Sequence, residues 1–232
     1  HKSNIHFAKK AFDCIRETRE SFVIIGDFSH FFDSLDHAYL KKQICDILDV
    51  EILPPDYYAV FKNITKYSIW LLKLNNLTDT EEDIQILNSK RRVLSEKEFK
   101  KHKKKFIIRH KENYGIPQGS AISAVLANIY MTTIDEKMDK LAGKFNGLYM
   151  RYSDDFIIVL PRISEDSFKI VLNDIMGEIK LIPNLFLQPD KTQIYKYKDT
   201  TLKSCNSLFL DDMVNGKNEI DYLGFTFDGK EV

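Results

Sequence analysis

The sequence predicts an α+β domain in which an antiparallel sheet is backed by helices. Three observations carry this. The apolar run Phe22-Val23-Ile24-Ile25-Gly26-Asp27 has strand length and no break, the pattern of a strand covered on both faces. Two further apolar runs, 148–150 and 156–160, flank Tyr152-Ser153-Asp154-Asp155 and predict a hairpin with the acids at or near its turn. Around these strands lie segments with three- and four-residue apolar spacing, the period of helices packed on a sheet.

Taken in order, residues 4–20 predict a helix with Ile5, Ala8, Phe12 and Ile15 on one face. After the first strand, Asp33 or Ser34 can cap a helix through about Leu48, with Leu35, Leu40, Ile44 and Leu48 inward. Pro54-Pro55 breaks the chain; 57–74 predicts an apolar helix and 75–83 a polar loop. Ser120 or Ser123 opens a helix with the stripe Ile122, Val125, Leu126, Ile129, Ile134, Met138 and Leu141. Past the acidic hairpin, Ser164 caps a helix whose inward residues are Phe168, Leu172, Ile175 and Ile179. Segments 185–187 and 193–197 predict short strands around a turn at 188–192. The end predicts a hairpin, 207–210 with 219–227, turning at Asn215-Gly216.

A chain of 232 residues suffices for one sizeable core, or a domain with a subdomain. Basic and acidic residues balance at 34 each, so net charge does not by itself announce a nucleic-acid partner. Local charge is uneven: Lys90, Arg91, Arg92, Lys97, Lys100, Lys101, Lys103, Lys104, Lys105, Arg109 and Lys111 face only Glu96 and Glu98 between residues 90 and 111. This stretch suits either a polyanion contact or a solvated helix face. Cys14, Cys45 and Cys205 form no CxxC pair and are expected to be free thiols in a reducing compartment, the cytoplasm. No apolar run reaches membrane-span length, so no membrane partner is expected. A start at His1 rather than Met suggests a piece of a longer protein.

The chemistry concentrates at Asp154 and Asp155. Adjacent acids in a turn repel, and burying them without partners is costly. A divalent cation relieves that repulsion, and a third carboxylate completes an oxygen-rich site for hard ions. Asp27, closing the first strand, is the candidate. The bland alternative is a solvated Asp-Asp turn. Phe32, five residues past Asp27, is placed to lie under a bound sugar, whereas Phe31 is expected in the core. Gly115-Ile116-Pro117-Gln118-Gly119-Ser120 predicts a rigid turn before a helix N-terminus, with Gln118 projecting where a nucleotide can be received. His30 and His37 have no partner at ligand spacing and are expected to be structural or exposed.

Asp27 with Phe32, then Gly115 to Ser120, Tyr152-Ser153-Asp154-Asp155, Lys191-Thr192 and Leu223-Gly224-Phe225, taken in that order, resemble the palm motifs of reverse transcriptases. The match runs from about residue 22 to residue 227. The resemblance implies a polymerase palm with partial fingers, RNA-directed DNA synthesis from dNTPs, an RNA template, and a DNA or RNA primer. It implies two Mg2+ ions, with Mn2+ as a substitute, held by Asp27, Asp154 and Asp155. It places Phe28, Phe32, Gln118 and Tyr152 on the nucleotide side, with Phe32 as the gate against ribonucleotides. Lys191 matches a proton donor to the leaving pyrophosphate; Leu223 and Gly224 match the primer grip.

On this resemblance, 22–49 and 115–200 form the palm, 1–21 and 50–114 partial fingers with a basic insert, and 201–232 a terminal hairpin bearing the grip. The wording Ile-Pro-Gln-Gly-Ser-Ala-Ile-Ser resembles bacterial enzymes of the abortive-infection and phage-defence groups, with group II intron enzymes the nearest competitor. Shortened fingers and the lack of a following helical thumb suggest a fragment that binds metal and nucleotide yet polymerises poorly alone. Untemplated or protein-primed DNA synthesis and a catalytically silent nucleic-acid-binding module are the alternatives.

Overall fold

The computed structural model describes residues 3–70, 85–86, 89–92, 94–209 and 216–232. Helix α1 (Asn4–Thr18) ends where Arg19 takes a positive φ of 59°, and strand β1 (Glu20–Asp27) begins at once. Two helices follow, α2 (Phe31–Ser34) and α3 (His37–Leu48). The cap of α3 is Asp36, whose side chain accepts from the Tyr39 amide at 2.8 Å, rather than Asp33 or Ser34. Helix α4 (Pro55–Thr65) starts on a proline whose missing N–H is no loss in the first turn.

The expected long helix 57–74 is corrected here: α4 stops at Thr65, and Ser68–Trp70 forms strand β2, paired antiparallel with β3 (Ile107–Arg109). Ile69 and Trp70 are residues that suit a strand, and pairing with Ile107 and Ile108 outweighs continuation of the helix. The predicted loop 75–83 lies outside the described residues. Between β2 and β3 stands α5 (Glu96–Phe106), closed at its start by a Ser95–Glu98 capping box.

The remaining elements are helix α6 (Ser123–Gly143), strands β4 (Leu148–Tyr152) and β5 (Asp155–Pro161), and helix α7 (Glu165–Lys180). After α7 come a 3-10 turn (Pro189–Lys191), strands β6 (Gln193–Lys198) and β7 (Thr201–Ser204), helix α8 (Asn206–Phe209), and strands β8 (Ile220–Tyr222) and β9 (Phe225–Phe227).

The main sheet has the order β4-β5-β1-β6-β7 and is antiparallel throughout. Central β1 has both neighbours bonded, which explains its unbroken apolar run. Phe22 and Ile24, with Phe156, Ile158 and Leu160 of β5, meet Leu35, Leu40, Met131, Ile134, Phe168 and Ile175 from the helices α3, α6 and α7 and the chain before α3. Val23 and Ile25, with Ile157 and Val159, meet Ala8, Ala11, Phe12 and Ile15 of α1 and Tyr222 and Phe227 of the terminal hairpin. The sheet is therefore covered on both faces, with α1 packed on one of them. Burying each large aliphatic here contributes about 1.5–3 kcal/mol.

Two other expectations are corrected. On α6 the buried face is Leu126, Ala127, Tyr130, Met131, Ile134, Met138 and Ala142, while Val125 is exposed. The helix is rotated so that Tyr130 is buried against Tyr39 and donates its hydroxyl to the Pro183 carbonyl. The terminal hairpin turns at Leu223-Gly224, not at Asn215-Gly216, of which Asn215 lies outside the described residues. Both turn residues have positive φ, 56° and 83°, the primed-turn geometry that matches the twist of the flanking strands. Residues 206–209 are helical where a strand over 207–210 was expected, and the Asn206 side chain accepts from the Ile194 amide at 2.7 Å, tying this segment back to β6.

Gly26 marks the closest approach in the core. A Cβ there would lie 2.4 Å from the Phe156 ring, which is itself tilted against Phe28 at 5.4 Å. Gly26→Ala is expected to destabilise the fold by about 1–3 kcal/mol through overpacking beside Asp27, read as a lower urea midpoint at unchanged m-value.

Candidate active site

The strand period places the acids. Along β1, Val23, Ile25 and Asp27 share one face; along β5, Val159, Ile157 and Asp155 share the same face. Apolar side chains fill the inner positions, and acids take the last position of each strand. Asp27 and Asp155 are direct partners in the β1–β5 register. The Phe28 amide donates to the Asp154 carbonyl at 3.2 Å, marking residues 28 and 154 as a hydrogen-bonded pair. Asp27 and Asp155 are then a non-bonded pair, the kind with Cα atoms roughly 4.5 Å apart and side chains close. Two carboxylates from distant parts of the chain thus meet at one end of the two central strands.

The electrostatics follow. The Asp155 carboxyl is pushed up to about 6 by burial, by Asp154 and by Asp27, with Lys191 opposing. Asp221, on β8, adds to the same negative field. Lys191, from the 3-10 turn, donates to Asp27 Oδ2 at 2.7 Å, and this bond raises its own pKa and keeps it protonated. Asp27 is buried, only 6 % exposed, and its backbone carbonyl accepts from the Gln188 amide at 2.8 Å, which fixes the turn that presents Lys191.

Two cavities meet at Asp27 and Lys191. The first, of about 460 Å³, is lined by Asp27, Phe28, Phe32, Gln118, Asp154 and Lys191 among others. Phe32 is half-buried and Gln118 exposed there. The Gln118 loop is bound to the chain around α2 by amides of Ile116 and Gly115 donating to the carbonyls of Phe32 and Leu35, each at 2.8 Å. Phe28 is almost fully buried against Phe31 and Phe156 and forms the floor. Phe31 is in the core, as expected. The second cavity, of about 710 Å³, is lined by Asp27, Asp155, Lys191, Asp221, Leu223 and Gly224 among others.

The structure thus brings together Phe28, Phe32, Gln118 and Asp154 on one side of Asp27, and Asp155, Leu223 and Gly224 on the other. Tyr152 joins neither cavity: it is 41 % exposed and meets Phe7 of α1 edge-on at 5.5 Å. His37 is structural, with its Nε2 against the Gly115 carbonyl at 2.7 Å, and burial lowers its pKa. Sequence reasoning missed Asp221, Glu219 and Lys217 in the second cavity. It also missed Asn4, whose side chain donates to the Leu223 carbonyl at 3.3 Å. Acid–apolar alternation in Glu219-Ile220-Asp221-Tyr222 was the one available signal for the hairpin acids.

Among the described residues, no three His, Cys, Asp or Glu side chains converge closely enough to hold a metal ion as they stand. Asp27 is instead paired with the Lys191 ammonium. The donor set nevertheless suits hard divalent ions: it is all carboxylate, set by backbone register, and one member resists ionisation because it is buried beside two other carboxylates.

A family model described as "Reverse transcriptase (RNA-dependent DNA polymerase)" matches residues 3–227. The chain belongs to the reverse transcriptase family. Reverse transcriptases as a family generally use divalent metal ions. Among solved structures, apo telomerase from Candida tropicalis superposes with a TM-score of 0.56 at 17% identity, covering 99% of this chain and 35% of that one. The same telomerase truncated of its C-terminal domain gives 0.54 at 16% identity, covering 97% and 38%. Telomerase from Candida albicans in complex with a fragment of telomeric RNA gives 0.50 at 17%, covering 97% and 32%. The chain therefore spans about a third of the telomerase chains it matches, and at these identities the likeness is one of fold. No curated protein matches the chain.

The raised Asp155 carboxyl has a consequence for stability. The folded chain holds this proton more tightly than the unfolded chain, so stability falls as pH rises from the ordinary 3.8 to about 6 and levels off above that. With divalent ions chelated, Asp155→Asn is expected to raise stability at pH 7 and flatten the decline between these values, measured by urea denaturation across pH; a variant with the parent's slope would assign the decline to another group.

Proposed function

We propose that this chain is the palm, with part of the fingers, of an RNA-directed DNA polymerase that adds dNTPs to a primer 3′-hydroxyl. The observation that carries the reading is the direct pairing of Asp27 with Asp155 across the two central strands, with Asp154 in the adjoining turn. When bound there, two divalent ions, Mg2+ or in its place Mn2+, would activate the hydroxyl and neutralise the triphosphate. Asp27, Asp154 and Asp155 would hold them. Phe32 walls the cavity where a sugar would lie, and Gln118 offers an amide to the incoming nucleotide. Lys191 is held protonated beside Asp27 and is a ready proton donor to pyrophosphate. Leu223 and Gly224, at a hairpin tip bordering the cavity with Asp155, would grip the primer end.

An RNA template and a DNA or RNA primer are the proposed partners. The exposed lysines of α5, Lys97, Lys100, Lys101, Lys103, Lys104 and Lys105, support a phosphate-backbone contact, since Phe99, His102 and Phe106 turn the opposite side of this helix toward Trp70 or one another. The wording Ile-Pro-Gln-Gly-Ser-Ala-Ile-Ser supports a bacterial phage-defence enzyme, and the unpaired spacing of Cys14, Cys45 and Cys205 supports a cytoplasmic one. No helix among the described residues is long and apolar enough to cross a membrane. A second reading, a nucleic-acid-binding module without catalysis, draws on the Lys191–Asp27 ion pair, which occupies a carboxylate that catalysis would need.

In the full-length protein, Asp154→Asn is expected to abolish primer extension while leaving the melting temperature within a few degrees of the parent; extension at the parent rate would remove the polymerase reading. Running the parent with and without template separates templated from untemplated or protein-primed synthesis. Phe32→Ala is expected to raise incorporation of ribonucleotides relative to dNTPs by about tenfold or more, read from competing single-nucleotide additions, because the ring would no longer exclude a 2′-hydroxyl.

A further inference from the structure

We propose that Arg151, oriented by Asp135, is the positioning residue that fixes the Ser153-Asp154 turn and registers it to the helix bearing the Gln118 loop; the proposal rests on the polymerase reading above. Arg151 sits on β4 three residues before Asp154, and its side chain is only 6% exposed. Its guanidinium donates in three directions. Nε reaches Asp135 Oδ1 at 2.9 Å and Nη2 reaches Oδ2 at 2.7 Å, a bidentate pair. Nη2 also reaches Asn128 Oδ1 at 3.1 Å, and Nη1 donates to the Ser153 carbonyl at 2.6 Å. The Tyr149 hydroxyl donates to Asp135 Oδ1 at 2.6 Å, so the acceptor is itself held from two sides.

The bond to Ser153 falls where the turn needs it. Ser153 has φ of 59°, a left-handed conformation disfavoured for a residue with a side chain. Its carbonyl belongs to the planar peptide that begins Asp154, so fixing that oxygen fixes the plane from which the Asp154 side chain departs. Asn128 and Asp135 both belong to α6, and at the start of the same helix Ser123 Oγ donates to the Pro117 carbonyl at 2.5 Å. Gln118 and Asp154, which line one cavity, are therefore both tied to a single helix.

A buried ion pair alone is weak evidence of a stabilising role, because apolar replacements often serve as well. No apolar pair could donate to Ser153. Lysine would keep the charge but could not span a carboxylate, an amide oxygen and a carbonyl at once.

The test compares Arg151→Lys and Tyr149→Phe with the parent and with Asp154→Asn, in primer extension across dNTP concentration, Mn2+ binding followed by electron paramagnetic resonance, and thermal melting. Arg151→Lys is expected to lower kcat by about 10- to 100-fold with little change in KM for dNTP, and to weaken Mn2+ binding about threefold or more. Tyr149→Phe, which leaves the ion pair in place, is expected to lose about two- to fivefold in kcat, and decides the matter if Arg151→Lys does not fold. Parent kcat and Mn2+ affinity in the folded variants, with losses confined to melting temperature, would overturn the positioning role. An inactive Asp154→Asn beside active Arg151→Lys and Tyr149→Phe would sink this proposal alone; an active Asp154→Asn would sink the polymerase reading.

Discussion

The antiparallel pairing of β1 with β5 is the constraint on which the rest of the structure depends. Its register runs unbroken from Ser21 with Pro161 to Asp27 with Asp155. A slip of one residue would exchange the faces of every side chain on β5, moving Ile157 and Val159 off the side packed by α1 and removing Asp155 from its place opposite Asp27. The apolar fill of the two faces therefore does more than stabilise the sheet. It selects the one alignment in which two carboxylates, separated by most of the chain, end on the same face at the same edge. Gly26 belongs to this selection, because any side chain there would displace the Phe156 ring.

Placing acids together at the end of a buried sheet carries an electrostatic cost, and the structure meets part of it internally. Asp155 responds by keeping its proton up to about pH 6, under the influence of burial, Asp154, Asp27 and Asp221. Asp27, the more buried carboxylate, is met by Lys191 instead. The ammonium is largely exposed at 56 %, so it can leave the pair without unpacking anything, whereas the carboxylate it leaves behind would demand another cation. Lys191 also borders both cavities. A mobile counter-ion at the junction of two cavities, over fixed acids, is an arrangement in which an arriving divalent ion competes with a protein side chain rather than with water alone.

Much of this was legible in the sequence, and the residues show why. Phe22 to Ile25 announced a doubly covered central strand because no polar residue interrupts them. The acidic hairpin was bounded by apolar runs on both sides. Asp27 closes one such run. Legibility failed where distant contacts decided the outcome. Nothing local in Tyr67 to Trp70 stops a helix; pairing with Ile107 to Arg109 does. Leu223 is a poor residue for positive φ, so Asn215-Gly216 looked the better turn, yet packing of Tyr222 and Phe227 beneath the sheet sets the bend at Leu223-Gly224. Arg151 drew no reading from the sequence, because its partner Asp135 lies on another element, and only the fold joins them.

The site divides its work between rigid and adaptable parts. Asp27 and Asp155 come from the two most deeply buried strands, where Ile24, Ile157, Ile158 and Val159 are fully enclosed and displacement would cost core packing. Gln118, Lys191 and Leu223-Gly224 come from turns, each fastened by one or a few hydrogen bonds: Ser123 to the Pro117 carbonyl, Gln188 to the Asp27 carbonyl, Asn4 to the Leu223 carbonyl. Chemistry that depends on sub-ångström placement of charge is thereby assigned to the sheet, and recognition that must admit successive ligands is assigned to the loops. Asp154 is the exception, a carboxylate on a turn, and it is the turn that a buried arginine of β4 braces against α6. That coincidence, a brace found where a charge-bearing loop lacks the support of a strand, makes Arg151 more than a packed ion pair.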